Sequence, residues 1–209
     1  MKKILTSISI VFTLGLILLI SSCNKDKETF DPLAQLELEK PVIEAYVKKN
    51  YPNAVQHEKS GIWYEVIQVS EEVTYEYPLK DTLNQKWIWT QGIINYKGKL
   101  ISNGAVFDQT KDPSVGTELP LYMSLTSGQG SVINAWLMAF YPKKYMNGLQ
   151  ELNLGMIFEK GAQKGTKFRI ITPSYYAYGN RDDIGQIPAN SPLDFEIEVL
   201  KLEDFDPKK

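Results

Sequence analysis

The chain of 209 residues has one cysteine, Cys23, and one histidine, His57. Those two scarcities exclude a good deal of chemistry. With no second thiol no disulfide can close within the chain, so a folded body has to rely on its apolar core. A Ser-His-Asp or Cys-His arrangement would have to use His57, which sits in a polar segment and reads as a surface residue. No His/Cys pair has the spacing of a metal ligand set. Asp182-Asp183 reads as a solvated loop. Gly128-Gln129-Gly130 lacks the strand, the longer glycine motif and the lysine of a phosphate cradle, and reads as a turn. Lysine and arginine form no cluster and the formal net charge is -2, which leaves nucleic acid no electrostatic footprint. The expectation is a chain with no cofactor, no metal and no nucleic-acid partner.

Hydrophobic residues make up 43% of the chain and charged residues 23%, the balance of a globular body with room for one ordinary domain plus extras. Lys2 and Lys3 precede an apolar stretch over 4–20, interrupted only by Thr6, Ser7, Ser9, Thr13 and Gly15. It ends in Ile20-Ser21-Ser22-Cys23. A charged start, an apolar run and small residues before a cleavage point describe a secretory signal. A membrane-spanning anchor is the other reading, because the run lies at the lower edge of the roughly 17–25 residues a span needs. The small residues directly before Cys23 resemble the bacterial lipobox, which implies that Cys23 is acylated and becomes the new N-terminus. The only cysteine of the chain stands where that motif needs one. Residues 1–22 are then a lipoprotein signal peptide. The rest would be lipid-anchored in the cell envelope, on the outer membrane facing the periplasm or the cell surface.

Residues 24–30 are polar and read as a tether. Asp31-Pro32 has the form of an N-cap followed by proline at the first helical position. Residues 32–50 are mostly helix formers, with Pro41 restarting or kinking the run and Val42, Ile43, Tyr46 and Val47 on one face. Residues 23–58 are therefore read as an anchored tether and helical stalk. Strand signals begin at Gly61: residues 62–67 and 87–96 are β-branched and aromatic. Asn103-Gly104 marks a hairpin between Leu100-Ile101 and Val106-Phe107. Residues 119–125 and 166–172 are further strands, and 75–85 reads as a long loop. Ser131 is the expected N-cap of a short helix with Val132, Ile133, Trp136 and Phe140 along one stripe. In 193–199 Leu193, Phe195, Ile197 and Val199 alternate with Asp194, Glu196 and Glu198, so one face should be buried and the other wet. This pattern predicts an α+β domain over 59–204, a curved antiparallel sheet wrapped around a short central helix, followed by a tail at 205–209.

Four segments of this domain, in order, resemble the FKBP family of prolyl isomerases. Tyr96-Lys97-Gly98-Lys99-Leu100 through Gly104-Ala105-Val106-Phe107-Asp108 is similar to that family's Y-x-G-x-L…G-x-x-F-D hairpin. Val132-Ile133-Asn134-Ala135-Trp136 is similar to its V-I-x-G-W helix start. Gly165 with Ile171-Thr172-Pro173 and Tyr176-Ala177-Tyr178-Gly179 resembles its G…I-x-P…Y-A-Y-G stretch. Residues 187–200, from Ile187-Pro188-Ala189-Asn190 to Leu200, resemble its I-P-P-N-x-x-L-x-F-x-V-E-L ending. Together with the lipobox and stalk, the chain resembles FKBP-type lipoproteins of bacteria with two membranes.

The resemblance implies an FKBP-like fold and a monomeric peptidyl-prolyl cis-trans isomerase that assists folding of proline-containing exported proteins. It implies Trp136 as the floor under the prolyl ring, with Tyr96, Phe107, Leu121, Val132, Ile133 and Phe195 as walls. Tyr178 would offer its hydroxyl to a substrate carbonyl, the Ile133 N–H would be a second donor, and Ile187 would belong to a covering loop. Asp108 would sit at the rim, orienting Tyr96 or polarising the twisted amide; it is the residue hardest to explain as core, because an unpaired buried carboxylate is costly. The chain departs from the family at Leu121, where an aromatic is usual, at Ala135 and at Gln186. It also offers no clear counterpart of the arginine that often pairs with the rim aspartate, Lys111 being a poor stand-in, and it carries an insertion over 141–158. That insertion and the pocket rim support the alternative, a catalytically weak chaperone or assembly module.

Overall fold

The computed structural model describes residues 30–70, 72–82, 85–147, 150–153 and 157–205. The expected signal peptide and Cys23 lie outside them. Among the described residues no helix is long and apolar enough to cross a membrane.

Helix α1 spans Pro32–Asn50 and runs through Pro41 as one element. Strand β1 (Val55–Gln56) pairs antiparallel with β2 (Trp63–Gln68), and β3 (Leu79–Thr82) with β4 (Gln85–Leu100). Then follow β5 (Val106–Gln109), β6 (Thr117–Ser124) and helix α2 (Asn134–Phe140). The hairpin of β7 (Lys144–Asn147) and β8 (Gln150–Asn153) comes next. The chain closes through β9 (Lys167–Thr172), a 3₁₀ turn at Ser174–Tyr176 and β10 (Leu193–Asp204).

The main sheet has the order β1-β2-β9-β10-β4-β3, with β5 and β6 also on β4. Strand β4 organises it. Along one edge its Trp87–Ile94 portion pairs with β6 and Lys97–Lys99 with β5; along the other, β3 and then β10 occupy it. Because both edges are taken, almost every backbone group of this long strand has a partner. Glycines sit where the sheet is crowded. A Cβ on Gly92 would come 2.8 Å from Leu121 Cδ1.

Helix α2 lies across the concave face. Ala135, Trp136, Ala139 and Phe140 are buried against Ile94, Phe168, Ile170, Phe195 and Ile197. Each such large apolar side chain contributes about 1.5–3 kcal/mol when fully buried. The rings of Phe140 and Phe168 meet edge to face at 5.9 Å.

Several expectations change here. The sequence leaves open whether the stalk packs on the domain; α1 shares one compact unit, Pro32–Lys209, with the sheet, and packs Ile43 and Val47 onto Ile101 and Ile171. Val42 faces away, 55% exposed, because Glu39 rather than Val42 completes the buried stripe. Asp194, expected on the wet face, is buried under α1, where the hydroxyls of Tyr46 and Tyr51 each donate to its Oδ2 at 2.8 Å. Ser131 does not cap α2. Ile133 holds the N-cap position, and the Ser131 hydroxyl instead donates to Pro120 O at 2.6 Å. The expected long loop contains β3 and a second small core, where Tyr77 and Tyr141 meet edge to face with centroids 5.4 Å apart. The Gln163 side chain pins that segment, accepting from the N–H groups of Thr74 and Tyr75 and donating to Tyr75 O. The insertion forms the β7–β8 hairpin.

Candidate functional site

Three local devices converge on one mouth of the sheet. The first is the hairpin between β4 and β5. Its turn uses Gly104 at φ +75° and an Asn103 side chain that accepts the Ala105 N–H at 2.9 Å. The hairpin brings Tyr96 beside Asp108, and the Tyr96 hydroxyl donates to Asp108 Oδ2 at 2.7 Å. Gly98 lies under Phe107, and a Cβ there would fall 2.5 Å from Phe107 Cζ and 2.9 Å from Phe195 Cε1. Only glycine lets Phe107 lie down on the strand and meet Phe195, centroids 5.6 Å apart and nearly perpendicular.

The second device is the start of α2. Ile133 has extended backbone, and its carbonyl takes the first helical bonds, from the N–H groups of Trp136 and Leu137. Its own N–H stands before the helical ladder. Trp136, 5% exposed, projects from the first turn into the floor of the cleft, edge to face with Tyr96 and with Phe195 at 5.4 Å each. Its indole N–H is buried without a partner among the described residues, a cost of about 1–3 kcal/mol that the floor tolerates.

The third is the 3₁₀ turn after β9, which delivers Ala177 and Tyr178. The result is a cleft of about 390 Å³ lined by Tyr96, Phe107, Asp108, Val132, Ile133, Trp136, Tyr178 and Phe195. That volume is within the about 300–1,000 Å³ of ligand pockets. Leu119, Ser131, Ala177 and Arg181 complete the lining.

Two expected members are elsewhere. Leu121 is 1% exposed in the core behind α2, and Leu119, on the same face of β6 and nearer the mouth, takes the wall position. Ile187 is buried in the main core, in a tight turn where its N–H donates to Ile184 O at 2.9 Å, and does not line the cleft. Sequence reasoning missed Arg181. It lines the cleft, but its guanidinium forks onto the Asp183 carboxylate at 2.9 and 3.0 Å. The run Arg181-Asp182-Asp183 was the available signal.

Burial, reinforced by the hydrogen bond and charge of Asp108, pushes the Tyr96 phenol well above its ordinary range. Burial and then the Asp108 charge likewise raise Tyr178. Both are thus neutral hydroxyls at ordinary pH, able to donate. Among the described residues there is no group of His, Cys, Asp and Glu that could hold a metal ion. The cleft is an aromatic cup with a carboxylate and two phenols at its mouth. It suits the binding of a small apolar ring whose flanking amides meet the polar rim.

Residues 91–200, slightly more than half of the chain, match the family of FKBP-type peptidyl-prolyl cis-trans isomerases. Every residue that lines the cleft falls within that stretch, and α1 to β3 fall outside it. Peptidyl-prolyl cis-trans isomerase Fkbp12 of Drosophila melanogaster is 30% identical over 110 residues, 53% of this chain and 78% of that protein. FK506-binding protein 1 of Aspergillus oryzae is 36% identical over 99 residues, 47% of this chain and 64% of that protein. The crystal structure of FkpA from Escherichia coli superposes over 84% of this chain and 62% of that chain, with a TM-score of 0.49 and 22% identity. On the family match and the Drosophila relative, the chain belongs to the FKBP-type peptidyl-prolyl cis-trans isomerase family.

Proposed function

We propose that the cleft accelerates rotation about X-Pro amides in exported proteins and so assists their folding, with the domain held at the cell envelope by lipid on Cys23. The Lys2–Cys23 pattern supports export and anchoring. The observation that carries the catalytic reading is the aromatic cup of Trp136, Phe195 and Phe107 closed at its mouth by the Tyr96–Asp108 hydrogen bond.

The reaction breaks no bond. Its barrier is about 20 kcal/mol, because the planar amide must lose resonance. The twisted state is less dipolar than the planar one, so a water-poor aromatic cup favours it differentially. A ten-thousandfold acceleration corresponds to about 5.5 kcal/mol of that preference. Trp136 supports the prolyl ring, while Phe107, Val132, Ile133 and Phe195 exclude water around it. Tyr178 and the Ile133 N–H donate to the carbonyls that flank the ring. The nitrogen of the twisted amide turns pyramidal and more basic, and the Asp108 carboxylate faces it across the rim while orienting Tyr96.

The test is prolyl isomerisation by the full chain in detergent, on a short peptide and on a refolding protein limited by a prolyl bond. Acceleration that is lost in Asp108→Ala and Trp136→Phe with the fold intact supports the reading; no acceleration of either substrate sinks it.

A second reading, a partner-binding module, is favoured by a larger hollow of about 590 Å³. It lies between the Val73–Glu76 segment and the β7–β8 hairpin, and is lined by Tyr75, Pro142, Tyr145 and the exposed Met146. Excising the insertion would remove Tyr141, which is fully buried, so the informative variant is Tyr145→Ala with Met146→Ser. Client binding that survives Trp136→Phe and fails in this double variant would support the module.

A further inference from the structure

Glu39 is 4% exposed and lies on α1, outside the family-matched residues. A carboxylate buried to that depth is costly unless its oxygens are hydrogen-bonded. Both are. Oε2 accepts the Ser174 N–H at 2.7 Å, and Oε1 accepts from the Ser174 hydroxyl at 2.6 Å and from Gln35 Nε2 at 2.8 Å. Such charge-assisted bonds are short and hold their partners firmly.

Ser174 opens the 3₁₀ turn, and its carbonyl accepts the N–H of Ala177 at 2.9 Å and of Gly179 at 2.8 Å. Those two amides stand on either side of Tyr178, which lines the cleft. Gly179 is held from the far side by the Asn190 N–H, which donates to its carbonyl at 2.8 Å. A continuous run of hydrogen bonds therefore leads from a buried carboxylate on α1 to the peptide units that flank one polar group of the cleft. An apolar residue at position 39 would continue the stripe of Ile43 and Val47.

We propose that Glu39 is a positioning residue of the isomerase site, fixing the turn from which Tyr178 reaches the cleft, so that α1 is part of the scaffold of the site. The inference rests on the isomerase reading for its catalytic consequence and on geometry alone for its structural one.

The experiment compares Glu39→Ala and Glu39→Gln in the full chain and in a Tyr178→Phe background, with kcat/KM and hydrogen exchange by mass spectrometry as readouts. In Glu39→Ala, exchange over residues 174–180 rises about tenfold while β4 and β10 exchange as before. kcat/KM falls about tenfold, the size expected when a buried hydrogen-bond partner is lost. Glu39→Gln stays within about threefold of wild type, because its amide still accepts the Ser174 N–H and can donate to the Ser174 hydroxyl. In the Tyr178→Phe background, Glu39→Ala costs no further activity. Equal losses in both backgrounds, or faster exchange throughout the sheet, overturn the proposal and leave Glu39 a stabilising residue only. Unchanged exchange over 174–180 in Glu39→Ala also overturns it. Should the wild-type chain not turn over prolyl peptides, it is the isomerase reading that has failed, and the exchange readout alone then decides whether Glu39 holds the turn.

Discussion

The guanidinium of Arg169 lies 4.0 Å above the ring centre of Tyr51, joining the residue that follows α1 to the middle of β9. On its other side the same guanidinium reaches Asp194, Nε to Oδ1 at 3.6 Å, and pairs with Glu196 through Nη2. Arg169→Met removes the cation and leaves Asp194, 2% exposed, with only phenol donors. Breaking one side of a buried pair costs about 3–5 kcal/mol. The urea midpoint should fall accordingly, and α1 should lose exchange protection before the sheet does.

Trp136→Ala removes the ring that Tyr96, Phe140 and Phe195 all touch. Deleting a buried tryptophan costs about 3–5 kcal/mol, enough to threaten a domain of ordinary stability. Trp136→Phe should cost clearly less in a denaturant titration while still lowering kcat/KM, which separates the floor's packing from its service to the substrate.

Gly98→Ala tests the wall. The added methyl overlaps Phe107 and Phe195, so Phe107 must lift off the strand. Overpacking of this kind costs about 1–3 kcal/mol. The expected signature is a rise in KM for prolyl peptides at 25 °C, with a cooperative melt retained.

Alkaline pH tests the phenols. The buried hydroxyls of Tyr77 and Tyr141 and the half-buried ones of Tyr96, Tyr75 and Tyr46 are all pushed above the ordinary tyrosine value of 10.0, chiefly by desolvation. The unfolded chain loses those protons first. Their contribution to stability is therefore whole below about pH 10 and drains away as pH climbs above it. Stability measured from pH 7 to 9 should be flat in this respect and then fall steeply. Tyrosinate absorbance from these residues should appear together with unfolding rather than before it.

Much of this arrangement was legible in the residues. Alternation in 193–199, the Asn103-Gly104 turn and the β-branched runs marked the sheet, and the FKBP resemblance brought Tyr96, Phe107, Asp108, Trp136 and Tyr178 into one list before any geometry. What remained hidden has physical reasons. Leu119 and Leu121 have the same parity on β6, so periodicity puts both on the concave face; only the position of α2 decides which is sealed and which meets the cleft. Asp194 reads as solvent-facing because its strand alternates, yet a helix far away in sequence covers it. Glu39 looks like any surface carboxylate of a charged helix until the partner at Ser174 is known.

The order β1-β2-β9-β10-β4-β3 has a consequence for how the chain comes to fold. Strand β10 lies between β9 and β4, and among the described residues no other strand joins those two halves of the sheet. Before residues 193–204 arrive, β2 with β9 and β4 with β3, β5 and β6 are separate ribbons, each with an open inner edge. Closure waits for contacts between the two longest strands, about a hundred residues apart in sequence, and pairing over such distances is slow. During that interval the edges of β9 and β4 are sites where another chain could add a strand. A chain that lost its last strand would therefore fail as an aggregate rather than as a smaller enzyme.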